Sequence, residues 1–405
     1  MKKPGVIISI ILAAAGLGAA AYYWQIFRVP GPVVSPPSRD LARLPEKGKS
    51  PGRDPAAFPL KPPPGFALAI FARDLKGARV LTLDPEGNLL VSLTSQGRVV
   101  ALPDKNGDGV ADTVVTVLHD LNHPHGLTFG PGKEPRLYVA ETDQVAAYDY
   151  DPEQLTATYQ EKIADLPPGG RHFTRALVFL PSARHHRLLI SVGSSCDACE
   201  EQDPRLAKIL AVDAGGGDLS TFAEGLRNPA FMAVHPLSKH VWATEVGRDD
   251  LGDNWPPDEI NIILEGSHYG WPYCYGKRLH DDKCDPTGLH QDFCKDTIPS
   301  FIDVPAHSGP QGLAFFPKEW PQEFRHDLLV AYHGSGDRPE TGCKVVRYHL
   351  DAAGNFLDVE DFITGWLTPT GPLGRPVDIL ITPDGVIYIS DDQAGVVYRV
   401  VYEKM

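Results

Sequence analysis

Six times along the chain an apolar segment runs into a proline turn and a second apolar segment leaves it. A self-similar unit of this size cannot bury its own faces and has to stack on copies of itself, so the recurrence limits the fold more than any other feature. The copies are VLTLDPEG from Val80, GLTFGPG from Gly126, ALVFLPSA from Ala176, AFMAVHPLS from Ala230, GLAFFPKE from Gly312 and VDILITPDG from Val377. Aligned on Pro85, Pro131, Pro181, Pro236, Pro317 and Pro383, they are spaced by 46, 50, 55, 81 and 66 residues, within or above the range of propeller blades. The segments are short, rich in β-branched and aromatic residues and punctuated by Pro and Gly, which marks strands. Continuous apolar runs such as LLVSL from Leu89 suit strands covered on both faces. The expected fold is all-β, a six-bladed β-propeller, with a β-sandwich or irregular all-β enzyme as the plainer alternative.

Residues 5–27 carry no charge over 23 positions, enough for a helix to cross a bilayer core of about 30 Å. Lys2 and Lys3 should stay inside, which places everything after Arg28 in a periplasmic or other extracytoplasmic space. The small-residue stretch lies within the apolar run rather than after it, so residues 1–28 read as an uncleaved membrane anchor sooner than as a signal peptide. From Val29 to Pro64, eleven of thirty-six residues are proline, the composition of a stiff, extended linker. The propeller is expected over 65–405.

A net charge of −14 with 52 acidic residues and no basic run argues against a nucleic-acid partner, which needs clustered positive charge. The six cysteines form an even set in a chain expected in an oxidising compartment, so disulfides are the default. Cys196-Asp197-Ala198-Cys199 reads as a local bridge rather than a redox pair, a metal half-site or a haem attachment, since Glu200 stands where haem attachment wants histidine. Cys274, Cys284 and Cys294 fall in the long insert after the fourth copy, and their pairing stays open.

In a blade whose first two strands form a hairpin, residues entering the first strand and residues leaving the second return to one end. The entering residues are Arg79, His123 and His125, His172 and Arg175, Arg227 and Asn228, His307 and Gln311, and Arg375. The leaving residues include Ser194 to Asp197, Glu245 to Asp249, His333 to Arg338, and Asp391 with Asp392. The expected mouth is polar and largely cationic, and converging cations call for an anionic ligand; arginine suits planar carboxylates, and histidine exchanges protons near neutral pH. Separately, Asp104, Asn106, Asp108 and Asp112 place oxygens at positions 1, 3, 5 and 9 of a calcium-type loop with Gly109 at 6, although Val115 occupies the acidic position 12. A calcium-free Asx turn is the alternative there.

Longer stretches carry a resemblance. NHPHGLTFG at 122–130, RHFTRALVF at 171–179, GSSCDACEEQDPR at 193–205, GLRNP at 225–229, GRDDLGDNWPPDEIN at 247–261, GSHYGWPYCYG at 266–276, AHSGPQGLAF at 306–315 and GRPVDILITPDG at 374–385 resemble the soluble aldose and sorbosone dehydrogenases that use pyrroloquinoline quinone and calcium. The resemblance implies that His172 is the general base for the sugar C1 hydroxyl, with Asp197 or Ser194 orienting it, and that Arg227 and Asn228 hold the quinone oxygens. It implies a carboxylate clamp at Arg375, a further cation from Arg338 or Lys344, and His125 at the cofactor. The carbonyls of Gly247 and Arg248 match ligands of a cofactor calcium, and Glu259 and Tyr269 match a second calcium site. Sorbosone-type relatives usually read GSWNR where this chain has Gly334-Ser335-Gly336-Asp337-Arg338, which removes an aromatic ring from the mouth. The implied activity is oxidation of an aldose or sugar aldehyde, with electrons leaving to a separate quinone or cytochrome. A calcium-dependent lactonase and a non-catalytic binding propeller are the alternative functions.

Overall fold

In the computed structural model, residues 59–404 are described apart from 133–134, 182–185 and 337. Six four-stranded antiparallel blades form a closed ring. Their first strands are Ala78–Leu83, Leu127–Phe129, Leu177–Phe179, Pro229–Val234, Pro310–Phe315 and Pro376–Ile381, and each neighbours the next round the axis. Every one of the six marker prolines lies in the link between a first and a second strand. Proline fixes φ and donates no hydrogen bond, so it is tolerated in that link and not in the ladder beyond it.

Four second strands carry one small hydroxyl residue inside an apolar run: Ser92, Ser191, Thr244 and Ser390, all fully buried. Each hydroxyl accepts the main-chain N–H of Val80, Ala176, Phe231 or Asp378 on the neighbouring first segment, at 2.8–3.2 Å. In blades one, four and six the first strand shifts register at this point. The hydroxyl therefore satisfies a donor that the bulge removes from the ladder, which would otherwise be buried without a partner.

Blade six is completed from the other end of the chain. Phe66–Ala72 pairs antiparallel with Val396–Tyr402 and forms its outermost strand. Contact with the propeller begins a little earlier, where Leu60 packs on the core between blades five and six and Lys61 pairs with Thr364. Phe66 sits among Trp320, Phe324, Phe362 and Tyr402, with ring centroids 4.9–6.2 Å away. That cluster joins blade six to blade five.

The long insert lies between the third and fourth strands of blade four. It adds Ser267–His268 in parallel to the edge of blade three and folds a small hairpin, Cys274–Tyr275 with Leu279–His280. Cys274–Cys294 staples the insert, and Cys196–Cys199 forms the expected local bridge. Cys284 and Cys343 are free thiols, so the even count does not carry through to three bridges. The expected anchor at 1–28 and nearly all of the linker lie outside the described residues; among those, no helix is long and apolar enough to cross a membrane.

Replacing Phe66 with alanine should cost about 3–5 kcal/mol, the range for deleting a buried aromatic ring. Urea unfolding of the two proteins measures it; a cost below about 1 kcal/mol would mean that the ring is not closed through this cluster.

Candidate active site

Most site residues sit in a link between blades or at the end of a second strand; Arg79 lies on a first strand, Glu259 and Lys344 on third strands, and Tyr269 in the insert. His172 lies between the outer strand of blade two, Thr156–Asp165, and the first strand of blade three. Its Nδ1 is 3.0 Å from the Ser194 carbonyl oxygen and 2.9 Å from the Ser194 hydroxyl. A carbonyl can only accept, so Nδ1 carries the proton and Nε2 keeps its lone pair. Ser194 is thus the orienting group. Gly193 brings the blades together here: a Cβ at that position would lie 2.5 Å from the His172 Cβ and 3.1 Å from Asn228 Oδ1.

Asp197, the other candidate for orienting the imidazole, holds arginines instead. Its Oδ1 accepts from Arg227 Nη2 at 2.5 Å and from Arg171 Nε at 2.8 Å. Its main-chain oxygen accepts from Arg227 Nε and Trp271 Nε1. Arg227 Nη1 reaches the carbonyls of Val246 and Gly247 at 2.8 and 2.9 Å. Burial, and then the Arg227 charge, lower the His172 pKa to about 3, so the ring is neutral at physiological pH.

His125 is fully buried, with Nδ1 on the Arg175 carbonyl at 3.0 Å, its ring edge-on to Phe231 and Nε2 without a partner among the described residues. Burial and the charge of Arg79 hold its pKa at about 3 as well. Round the same mouth, Arg79 pairs with Asp392 at 2.6 Å and donates to Gln311 at 2.7 Å. His333 Nε2 meets the other oxygen of Asp392 at 3.0 Å. Arg375 Nη1 donates to the Gly334 carbonyl at 2.7 Å. A cavity of about 180 Å³ opens between Asn228, Asp258, His307, His333 and Gly334. His172, Arg227, Asn228 and Arg375 therefore belong to one end of the ring.

The mouth is not the cationic funnel that residue types suggest. Arg79, Arg171 and Arg227 each have a carboxylate partner. Arg338 pairs with Asp253 and Glu340, and Lys344 with Asp361 on the outer strand of blade five, so neither joins the lining of the 180 Å³ cavity. Arg375 differs: its guanidinium donates to the Gln393 amide oxygen and to carbonyls, all neutral partners, and is half-buried. Among the named cations it is the one best placed to take an incoming carboxylate.

A second, smaller space of about 30 Å³ lies beside Arg227, bounded by Glu245, Gly247, Arg248, Glu259 and Tyr269. Gly247, Arg248, Glu259 and Tyr269, which the resemblance divides between two calcium sites, thus border one space, while Asp104, Asn106 and Asp108 do not. Glu245 and Glu259 are cross-strand partners. Glu245 Oε1 accepts the Arg227 N–H, while its Oε2 is buried without a partner among the described residues. Burial, then the facing Glu259, push the Glu245 pKa well up, and burial raises Glu259 to about 7. The Tyr269 hydroxyl is taken by Ile262 and Leu264, so only its main-chain oxygen remains to serve as a ligand. Glu245 escaped the sequence argument as a metal-site residue; a glutamate closing a second strand has no signal of its own.

The loop with Asp104, Asn106 and Asp108 closes on itself. Asp104 accepts the N–H groups of Asp108 and Gly109, Asn106 accepts that of Asp108, and Asp112 accepts the Asn106 amide. Its three carboxylates do not come within 4.8 Å of one another; among the described residues the only such group of three His, Cys, Asp or Glu ligand atoms is Cys196, Cys199 and Glu201, where the two sulfurs are already joined.

The TrAA12-like family model matches residues 60–403. The chain belongs to that family. A relative in Coprinopsis cinerea, a pyrroloquinoline quinone-dependent pyranose dehydrogenase, is 24% identical over 82% of this chain, which spans about half (53%) of that enzyme. An uncharacterised Borreliella burgdorferi protein is 29% identical over 85% of this chain and 92% of its own length. Among solved structures, the holo pyrroloquinoline quinone domain of the Coprinopsis enzyme superposes with a TM-score of 0.73 at 21% identity, covering 85% of this chain and 97% of that one. The apo soluble aldose sugar dehydrogenase of Escherichia coli gives 0.61 at 18% identity, over 83% and 99%. At these identities the superpositions establish the shared propeller.

The imidazole pKa values carry a sign for stability. His125 binds a proton in the unfolded chain below about 6.5 and in the folded protein only near 3, so stability should fall as pH drops through that window. From pH 7 to 4.5 the loss due to His125 is about 2–3 kcal/mol. Replacing His125 with asparagine, whose amide can still donate to the Arg175 carbonyl, should remove that part of the slope in urea titrations at the two pH values; an unchanged slope would refute a buried neutral His125.

Proposed function

We propose that this TrAA12-like chain is a sugar oxidoreductase that uses pyrroloquinoline quinone, oxidising an aldose or sugar aldehyde to the lactone or acid. The observation that carries the reading is the His172 imidazole, held as the Nδ1–H tautomer by Ser194 so that Nε2 is the ring's proton acceptor, on a residue packed near Asn228 and within the field of Arg227. An imidazole in that form can only accept a proton, the task of a base at a sugar hydroxyl. The family membership and the Coprinopsis relative supply the redox class.

When bound, the quinone supplies the two-electron acceptor, and calcium beside it would polarise its carbonyl. Arg375 would clamp one carboxylate of the tricarboxylate, and Arg227 and Asn228 would contact the ring oxygens. Those carboxylates would offset Arg227 and Arg171, lifting the His172 pKa toward the working range of a base. The 30 Å³ space suits a single ion, and its donors are hard oxygens: the orphaned Glu245 Oε2, Glu259 and the Gly247 carbonyl. Arg248 would add its carbonyl only, because its side chain is committed to Asp250 and Asp281. The expected setting is extracytoplasmic, with residues 1–28 as a membrane anchor and a membrane quinone or a cytochrome as the electron acceptor.

Two measurements check this reading. Full-length protein supplied with pyrroloquinoline quinone and calcium should reduce a dye with at least one aldose, and His172→Gln should lower kcat by roughly 100-fold or more while cofactor affinity stays within about threefold. No turnover across a sugar panel would sink the dehydrogenase reading. Calcium should also raise the melting temperature of the cofactor-free protein by mass action, and Glu245→Gln should abolish the increment; a full increment in that variant would place the ion elsewhere.

A further inference from the structure

The loop from Ser194 to Glu201 in blade three touches two of the groups that the proposed chemistry needs, the His172 imidazole and the Arg227 guanidinium. Ser194 donates its hydroxyl to the Cys196 carbonyl at 2.6 Å, and the same hydroxyl and its own carbonyl receive His172 Nδ1. The Ser194 and Ser195 carbonyls also accept the N–H groups of His172 and Arg171. One residue past Cys196, Asp197 holds Arg171, Arg227 and Trp271. Glu201 receives the Ser195 N–H at 2.7 Å and its hydroxyl at 2.6 Å, and Glu200 takes the Tyr273 hydroxyl of the insert. Blades three and four and the insert therefore converge on a single turn, and the Cys196–Cys199 disulfide closes that turn around Asp197.

We propose that the Cys196–Cys199 disulfide is a positioning element of the active site, holding the His172 imidazole and the Arg227 guanidinium in one mutual geometry, and that a dithiol reductant switches the site off by opening it. Four residues with no regular secondary structure have no ladder to keep them in place. The covalent closure limits where the Asp197 carboxylate and the Cys196 carbonyl can go. With the bridge open, Asp197 can follow Arg171, which is exposed, and release Arg227. Ser194 then loses its acceptor at Cys196, and the imidazole loses its fixed hydroxyl. The exchange balances: the dithiol gives two electrons and two protons, the S–S bond breaks, Cys196 and Cys199 become thiols, and the reductant closes to its own disulfide.

Selectivity follows from burial. Cys274 and Cys294 are 4% and 3% exposed, whereas Cys196 and Cys199 are both half-buried and within reach of a small reductant. The role as a switch rests on the dehydrogenase reading; the positioning of His172 does not.

The test uses the full chain, oxidised or treated with dithiothreitol under native conditions, then alkylated and mapped by mass spectrometry. Cys196 and Cys199 should gain label on treatment, Cys274 and Cys294 should not, and free Cys284 should label in both states as the internal control. Histidine-labelled NMR then follows the His172 ring. It should stay neutral from pH 8 to 5 in the oxidised protein, and its midpoint should rise by at least one pH unit after reduction and in Cys196→Ser/Cys199→Ser. Affinity for pyrroloquinoline quinone should fall about tenfold or more, with kcat falling further than the sugar KM. Asp197→Asn, which keeps the disulfide, should reproduce the affinity loss with the labelling pattern unchanged, so the decision stands even if the double serine variant does not fold. An unchanged His172 titration in the reduced protein would overturn the proposal. If the oxidised protein binds no quinone, the dehydrogenase reading fails, while the His172 titration still decides the positioning role.

Discussion

The ring stands or falls with one strand pairing. A propeller has no single core: each blade buries its faces on its neighbours, so the assembly is stable only while the last blade meets the first. Here Phe66–Ala72 is hydrogen-bonded to Val396–Tyr402, which puts the two ends of the described chain into one sheet. Closure also fixes the mouth. The Arg79–Asp392 bond joins residues 313 apart in sequence, and Arg79–Gln311 joins residues 232 apart. Neither contact exists unless the blades are held in register by the ring.

Within that frame the site is a balance of charges rather than a patch of one sign. Arginines brought together at the axis are each matched by a carboxylate or by carbonyl oxygens, as burial requires. Among the described residues, three features left over are informative: Glu245 Oε2 and His125 Nε2, both buried without a partner, and the neutral surroundings of the Arg375 guanidinium. An acceptor in want of a cation and a guanidinium in want of an anion lie at the same end of the ring. A metal and a polycarboxylate arriving together would satisfy both.

Much of this was legible in the sequence because the signals are local. A proline after each first strand, and an apolar second strand after that proline, are enough to count six blades and to say which residues face the mouth. Cys196 and Cys199, three apart, could hardly pair elsewhere once oxidised. Contacts set by the ring were not legible. Nothing near Phe66 shows that it completes a blade begun at Pro376. Asp197 looked able to orient His172, but its carboxylate is drawn to the arginines from 171 and 227, and the neighbouring serine takes the imidazole. The funnel looked cationic because its carboxylate partners come from loops whose approach no local pattern encodes. Cys284 and Cys343 stay unpaired for the same reason: an even count says nothing about reach.

On the proposed function, one end of the ring binds a polycarboxylate redox cofactor together with calcium. Isothermal titration calorimetry of the full-length protein with pyrroloquinoline quinone, with and without calcium, tests it most directly. Such a site should bind one cofactor per chain, tighter with calcium than without, and weakened about tenfold or more by Arg375→Ala, the loss of a charge-assisted bidentate contact. Absence of binding, or binding indifferent to both calcium and Arg375, would contradict it.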